Sequence, residues 1–251
     1  MADTCENSIR ASEGLIMSDR WAIWIDIEGF SKLFKKNETQ AILSLGELME
    51  ALYKIGFSVF NRQDERLFIH QFGDGFVIVS DFAEASPNRP IAICITLMRH
   101  LLSKGFVSKS SISIGSFADI SSCYPRSVLN ASQDRRYIKL GSGIMTILPV
   151  MGTALIAAHK LADKRRGSIL LFDSALFYDS PDQVIYDSGD PASVDWIHSD
   201  PHIITEICEK AGLKYIGPDV AESLLKDYIN TNRSYLPEEW VSSTEKALDL
   251  R

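Results

Sequence analysis

Residues 21–27 read Trp-Ala-Ile-Trp-Ile-Asp-Ile, an apolar run interrupted by a single acid, and no other segment limits the possible folds so strongly. It is too short for a buried helix and rich in aromatic and β-branched residues, so it reads as a buried strand. Glu28-Gly29-Phe30-Ser31 follows as a turn. Ile42, Leu45, Leu48, Met49, Leu52, Tyr53 and Ile55 then recur mostly at three- and four-residue steps, which predicts a helix. Beyond a polar break at 61–65, Arg66–Phe72 and Gly75–Ser80 form the arms of a β-hairpin with Asp74 near its tip. Ile91–Lys104 is amphipathic and stops before Gly105. Ser110–Phe117 alternates as a strand does. Residues 124–136 are loop-like, and Gly143–Val150 is apolar without a decided period. Gly152–Lys164 reads as a helix with Gly167 as its stop, and Ser168–Asp173 as another strand.

The order β-α-β-β-α-β, followed by further β-α-β, predicts an α+β fold. It is a ferredoxin-like split βαβ arrangement, an antiparallel-rich sheet with helices on one face. Residues 1–19 are expected to be a flexible leader and 20–177 the main domain. Residues 178–251 are expected to be a C-terminal extension of that domain, with helical patches at 203–211 and 219–230.

Composition narrows the function. The chain has 251 residues, 45% of them hydrophobic, enough for one sizeable core. A net charge of −7 argues against a nucleic-acid partner, because affinity there comes from neutralising phosphates with Lys and Arg. Cys5, Cys94, Cys123 and Cys208 are scattered, with no C-x-x-C pair, so neither structural zinc nor a disulfide framework is expected. No stretch approaches the ~20 apolar residues of a membrane span, and residues 1–19 lack a signal-peptide core. A cytoplasmic protein with reduced thiols is the expectation.

Two acids carry the candidate chemistry. Asp26 ends the buried strand and Asp74 sits at the hairpin tip, with one long helix between them. A crossover of that kind can return both strand ends to one place, where two carboxylates would hold hard cations through oxygen. The amides of Gly29, Phe30 and Ser31 lie where a turn opens a helix, a place suited to phosphate oxygens. Such a pair fits a site holding two cations for attack on phosphorus. The same residues would serve equally as a helix cap (Asp26) and a hairpin-turn acid (Asp74).

Trp24-Ile25-Asp26-Ile27-Glu28-Gly29-Phe30-Ser31 resembles the first metal motif of class III nucleotide cyclases, and Phe72-Gly73-Asp74-Gly75-Phe76 resembles the second. Ser113-Ile114-Gly115 stands where that family has its central Gly-rich strand. Gly152 to Leu161, with Gly167-Ser168-Ile169, is similar to its late helix and the strand after it. The resemblance covers about residues 20–175. It implies that Asp26, Asp74 and the Ile27 carbonyl bind Mg2+ or Mn2+, two per site, and that the Gly29, Phe30 and Ser31 amides hold a nucleoside triphosphate. It also implies a homodimer with sites at the interface.

The sequence departs from the purine-using members at four positions. His70 and Pro149 replace their base-reading Lys and Asp. Ile156 replaces an Asn, and Lys160 replaces the transition-state Arg, leaving Lys160 as the candidate catalytic cation. Lys164, Arg165 and Arg166 offer further charge or simply a solvated helix end. These departures resemble the stand-alone pyrimidine cyclases of bacterial anti-phage (Pycsar) systems. That resemblance implies conversion of UTP, or CTP, to a cyclic monophosphate that acts on a separate effector, with His70 and Gln71 on the base side. A conventional adenylate or guanylate cyclase and an inactive nucleotide-binding relative are the alternatives.

Overall fold

Alternation along the first strand, β1 (Arg20–Ile27), sorts its side chains onto two faces and so sets the architecture. Trp21, Ile23, Ile25 and Ile27 enter the large core, whereas Ala22 and Trp24 enter a smaller cluster on the reverse face. The computed structural model describes residues 20–249, apart from 63–64, 85, 120–123, 134–136, 147–149, 174–183 and 190. The expected leader at 1–19 and the base-reading position Pro149 lie outside the described residues.

After β1 the chain forms α1 (Phe30–Lys36), α2 (Glu38–Lys54) and a π-helical turn (Ile55–Val59). The hairpin β2 (Leu67–Phe72) and β3 (Gly75–Ser80) follows, then α3 (Asn88–Ser103) and β4 (Ser108–Gly115). These four strands pair in the order β4-β1-β3-β2, all antiparallel, which is the expected split βαβ core. An appendage comes next. It holds β5 (Ala118–Asp119), α4 (Arg126–Ala131), β6 (Ser132–Gln133), β7 (Tyr137–Leu140), β8 (Gly143–Thr146) and β9 (Val150–Met151). Residues 124–136, read as loop, thus include a short helix. Of the undecided apolar stretch, Gly143–Thr146 is one arm of a hairpin with β7, and Val150 opens β9, which pairs with β5.

Helix α5 (Thr153–Ala162) leads to β10 (Leu170–Phe172), which lies parallel to β4. Two parallel strands need a crossover, and the front face is already occupied by α3. Helix α5 therefore crosses the reverse face, an exception to helices on one face only. Small residues let it approach: Ala154 and Ala158 are fully buried, and Ser111 Oγ donates to the Ala158 carbonyl at 2.7 Å. Gly115 and Gly152 are required at its entrance. A Cβ on Gly115 would meet Thr153 Oγ1 at 2.5 Å, and one on Gly152 would meet the Ser116 carbonyl at 2.0 Å.

Two short strands, β11 (Tyr186–Asp187) and β12 (Ala192–Val194), complete the seven-stranded sheet on the β10 side. Helices α6 (Ile203–Ala211), α7 (Pro218–Asn232) and α8 (Glu238–Leu248) then pack into the large core through Ile204, Ile207, Leu225, Ile229 and Trp240. Among the described residues no helix is long and apolar enough to cross a membrane.

Candidate functional site

The split βαβ crossover brings Asp26 and Asp74 to one cavity of about 920 Å³, whose lining also includes Ile27, Gly29, Phe30 and Ser31. Six of the eight residues expected from the sequence therefore converge. Sheet register is the cause: Asp26 stands directly opposite Gly75, the residue after Asp74. Gly75 makes this closeness possible, since a Cβ there would lie 3.3 Å from the Asp26 Cβ and 3.1 Å from the Ile25 carbonyl.

Gly29 caps α1 with φ 74°, a left-handed conformation that other residues adopt at a cost. Its carbonyl accepts from Lys32 and Leu33. The amides of Gly29, Phe30 and Ser31 have no backbone acceptor among the described residues, as expected for the opening of a helix.

Asp26 is the chemically unusual group. Its Oδ1 is buried with no hydrogen-bond partner among the described residues. Burial pushes its carboxyl up from the usual 3.8 to about 7. Lys109 pulls it down, and the charges of Glu28 and Asp74 push it up. A buried, orphaned carboxylate oxygen facing a second acid is what an oxygen-seeking cation would satisfy, so the residues fit Mg2+ or Mn2+. Among the described residues no group of three or more His, Cys, Asp or Glu side chains is placed to hold a metal. The remaining donors would be the Ile27 carbonyl, water and ligand oxygens, as is usual for Mg2+.

The raised value gives a signed prediction. A cation entering below pH ~7 must displace a proton from Asp26, and above that pH it displaces none. Mn2+ affinity, measured by calorimetry, is expected to fall ~10-fold per pH unit below about 7 and to level off above it. A flat profile from pH 8 to pH 5 would contradict this reading of Asp26.

Two expected residues stand apart within a single chain. His70 points from β2 toward Phe117, with ring centroids 6.2 Å apart, and does not line the cavity. Lys160 is exposed on α5 and does not line it either. Gln71 turns to the hairpin tip, where its Nε2 donates to the Gly73 carbonyl at 2.9 Å. Of the basic run after α5, Arg166 reaches the cavity wall and pairs with Glu239 at 3.8 Å.

Several lining residues escaped the sequence reading. Lys109 lies opposite Asp26 on β4 and forms an ion pair with Glu28 at 3.2 Å. Tyr228, Tyr235 and Trp240 come from the C-terminal helices, and the Trp240 indole donates to Glu28 at 3.0 Å. The signal that could have found Lys109 is its place as the one charged residue at the head of an otherwise small, Ser-rich strand. Nothing in the sequence pairs Trp240 with Glu28.

No protein-family model matches the chain, and no curated protein matches it in sequence. Solved structures similar to it include a bacterial light-regulated adenylyl cyclase, with 11% identity and a TM-score of 0.45 over 81% of this chain. Another is a class III adenylyl cyclase-like ATP-binding protein from Pseudomonas aeruginosa, with 12% identity and a TM-score of 0.43 over 76% of this chain. The chain spans 57% and 40% of the lengths of those two structures. What the site can do follows from its own residues.

Proposed function

We propose that the chain is a nucleotide cyclase, closing a nucleoside triphosphate into a 3′,5′-cyclic monophosphate and releasing pyrophosphate. The observation that carries this reading is the convergence of Asp26, with its orphaned buried oxygen, and Asp74 on one cavity beside the free amides of Gly29, Phe30 and Ser31. Asp26, Asp74 and the Ile27 carbonyl would hold Mg2+ or Mn2+, two ions per site, which supply charge neutralisation and a lower hydroxyl pKa when bound. The turn amides orient the triphosphate so that the ribose 3′-oxygen faces the α-phosphorus. A phosphorus–oxygen bond forms there as the bond to pyrophosphate breaks, and the hydroxyl proton passes to solvent. Positioning and charge neutralisation supply most of the rate.

Lys160 lies outside the cavity of its own chain, so its catalytic role requires a second copy, and a homodimer with composite sites is part of the proposal. UTP is the proposed substrate, ahead of CTP, because His70 and Pro149 replace the purine-reading pair. The cyclic product would act on a separate effector in anti-phage defence.

The test is incubation with each of the four triphosphates and Mn2+, scored for cyclic product. Cyclic UMP as the main product is expected. A preference for ATP or GTP would overturn the pyrimidine reading and leave the cyclase. No product from any of the four would favour a nucleotide-binding domain without activity, a reading to which exposed Ile156 and Lys160 lend weight.

A further inference from the structure

β2 is the last strand of the sheet, with β3 on one side and no strand on the other among the described residues. One bond shows which of its residues face outward. The Arg66 carbonyl accepts from the Asp81 amide at 3.1 Å, so that pair is bonded across the ladder. Antiparallel pairs alternate between bonded and open. Phe68, His70 and Phe72 therefore bond to β3, and Leu67, Ile69 and Gln71 turn their N–H and C=O groups outward. Sheet edges are commonly blunted by charge, proline or a bulge. Residues 67–72 include no Lys, Arg, Asp, Glu or Pro, and their register with β3 is unbroken.

Beside this edge lies an open groove of about 610 Å³ between the end of α2, the π-helical turn and β2. Tyr53 and Phe57 stack on its wall with ring centroids 5.5 Å apart, and they are 63% and 66% exposed. Phe68 is 39% exposed on the strand itself. Among the described residues the one charge in the lining is Arg66, which is paired with Asp81.

A row of outward amides and carbonyls takes another strand. This edge is complementary to itself. Run antiparallel about a twofold axis at Ile69, it sets Ile69 against the partner's Ile69 and Leu67 against the partner's Gln71. Every outward residue then meets an outward residue, giving six hydrogen bonds with no like charges opposed. The chain carries −7 overall, but the patch is neutral, so nothing local repels a second copy. The three exposed rings and the strand edge would cover on the order of 500–600 Å² per copy. That reaches the roughly 1,000 Å² in total that a specific but reversible contact needs.

We propose that the β2 edge, with Tyr53, Phe57 and Phe68 beside it, is a self-association surface on which a second copy of this chain continues the sheet. It is separate from the composite-site pairing, because α5, which carries Lys160, packs on β1 and β4 and leaves β2 open. It stands whether or not the chain is a cyclase. Alone the edge contact gives a dimer, and together with the composite-site pairing a tetramer.

Light scattering on the full chain between about 1 and 100 µM reads the association. The mass is expected to rise with concentration above the 28.0 kDa of one chain. Phe57→Glu places a charge in the groove, and Gln71→Pro removes an outward N–H that β3 does not use. Each is expected to halve the mass seen at high concentration, with a melting temperature close to that of wild type. Hydrogen exchange on wild type supplies a second readout that needs no variant. The amides of Leu67, Ile69 and Gln71 are expected to slow at least ~10-fold on concentration. A wild-type chain that stays monomeric would overturn the proposal and leave the edge to a strand from another protein. Association that survives both variants would overturn it by placing the contact on another face. Protection of those three amides at every concentration would overturn it too, since the same chain would then cover its own edge.

Discussion

Asp26→Asn is expected to reduce cyclic-nucleotide formation by ~10³-fold or more while making the metal-free protein more stable at pH 8. The two effects share one cause. The amide keeps the shape of the side chain but cannot carry the charge that holds a divalent cation. In the metal-free protein that charge is a liability, because burial raises the carboxyl to about 7 from the ordinary 3.8. The folded chain therefore binds the Asp26 proton more tightly than the unfolded chain does. Stability falls as pH rises between those two values and stays lower above the upper one. The full shift corresponds to at most about 4 kcal/mol, and relaxation around the charge reduces it. A gain of roughly 1–3 kcal/mol at pH 8 is expected, read as a melting temperature several degrees higher, with no gain at pH 4. Added Mn2+ should raise the melting temperature of wild type and leave Asp26→Asn unmoved. Retained product formation would remove Asp26 from the site. A less stable variant at pH 8 would show that the carboxylate is held by partners rather than strained.

How far the sequence discloses such a site depends on whether the signal is local. β1, the hairpin and α5 were legible because each announces itself within a dozen residues. An apolar run ends at Asp26, glycines bracket Asp74, and small residues lie along Gly152–Leu161. The convergence of the two acids followed from the crossover, and the cavity contains both. The pieces that escaped depend on distant partners. The short α1 has no apolar period of its own, and Asn37, which accepts from the Gln40 amide, marks a boundary with α2 that apolar spacing does not show. β11 and β12 are two and three residues long and exist only as an extension of β10. Trp240 is buried like a packing anchor, but it also donates to Glu28 across 212 residues of chain, a pairing no periodicity encodes. His198 likewise bonds buried Asp195 at 2.6 Å, a contact that no residue pattern in the sequence marks.

Arg99→Met is expected to destabilise the fold by about 3–5 kcal/mol, the other large effect that the structure implies. Arg99 lies on α3 and its side chain is 2% exposed. Its Nε donates to the Trp196 carbonyl, Nη1 to Asp200 and the Ile216 carbonyl, and Nη2 to the carbonyls of Ile197 and Ser199. All five N–H donors of the guanidinium are thereby used. The acceptors lie in two separate connections, one after β12 and one just before α7. A single side chain thus ties both approaches to the C-terminal helices onto the core. Methionine would fill the volume and leave four carbonyls and a carboxylate without their donor. Asp200 would retain the Tyr215 hydroxyl, so the loss stops short of a fully orphaned charge. Urea unfolding and a fall in melting temperature of roughly 10 °C are the readouts. A change below ~1 kcal/mol would mean that packing alone holds these helices against the sheet. Arg99→Lys separates charge from geometry: with three donors for five acceptors it is expected to recover less than half of the loss. Full recovery would show that the positive charge, and not the planar fork, is what fastens the helices that carry Tyr228 and Trp240 to the edge of the cavity.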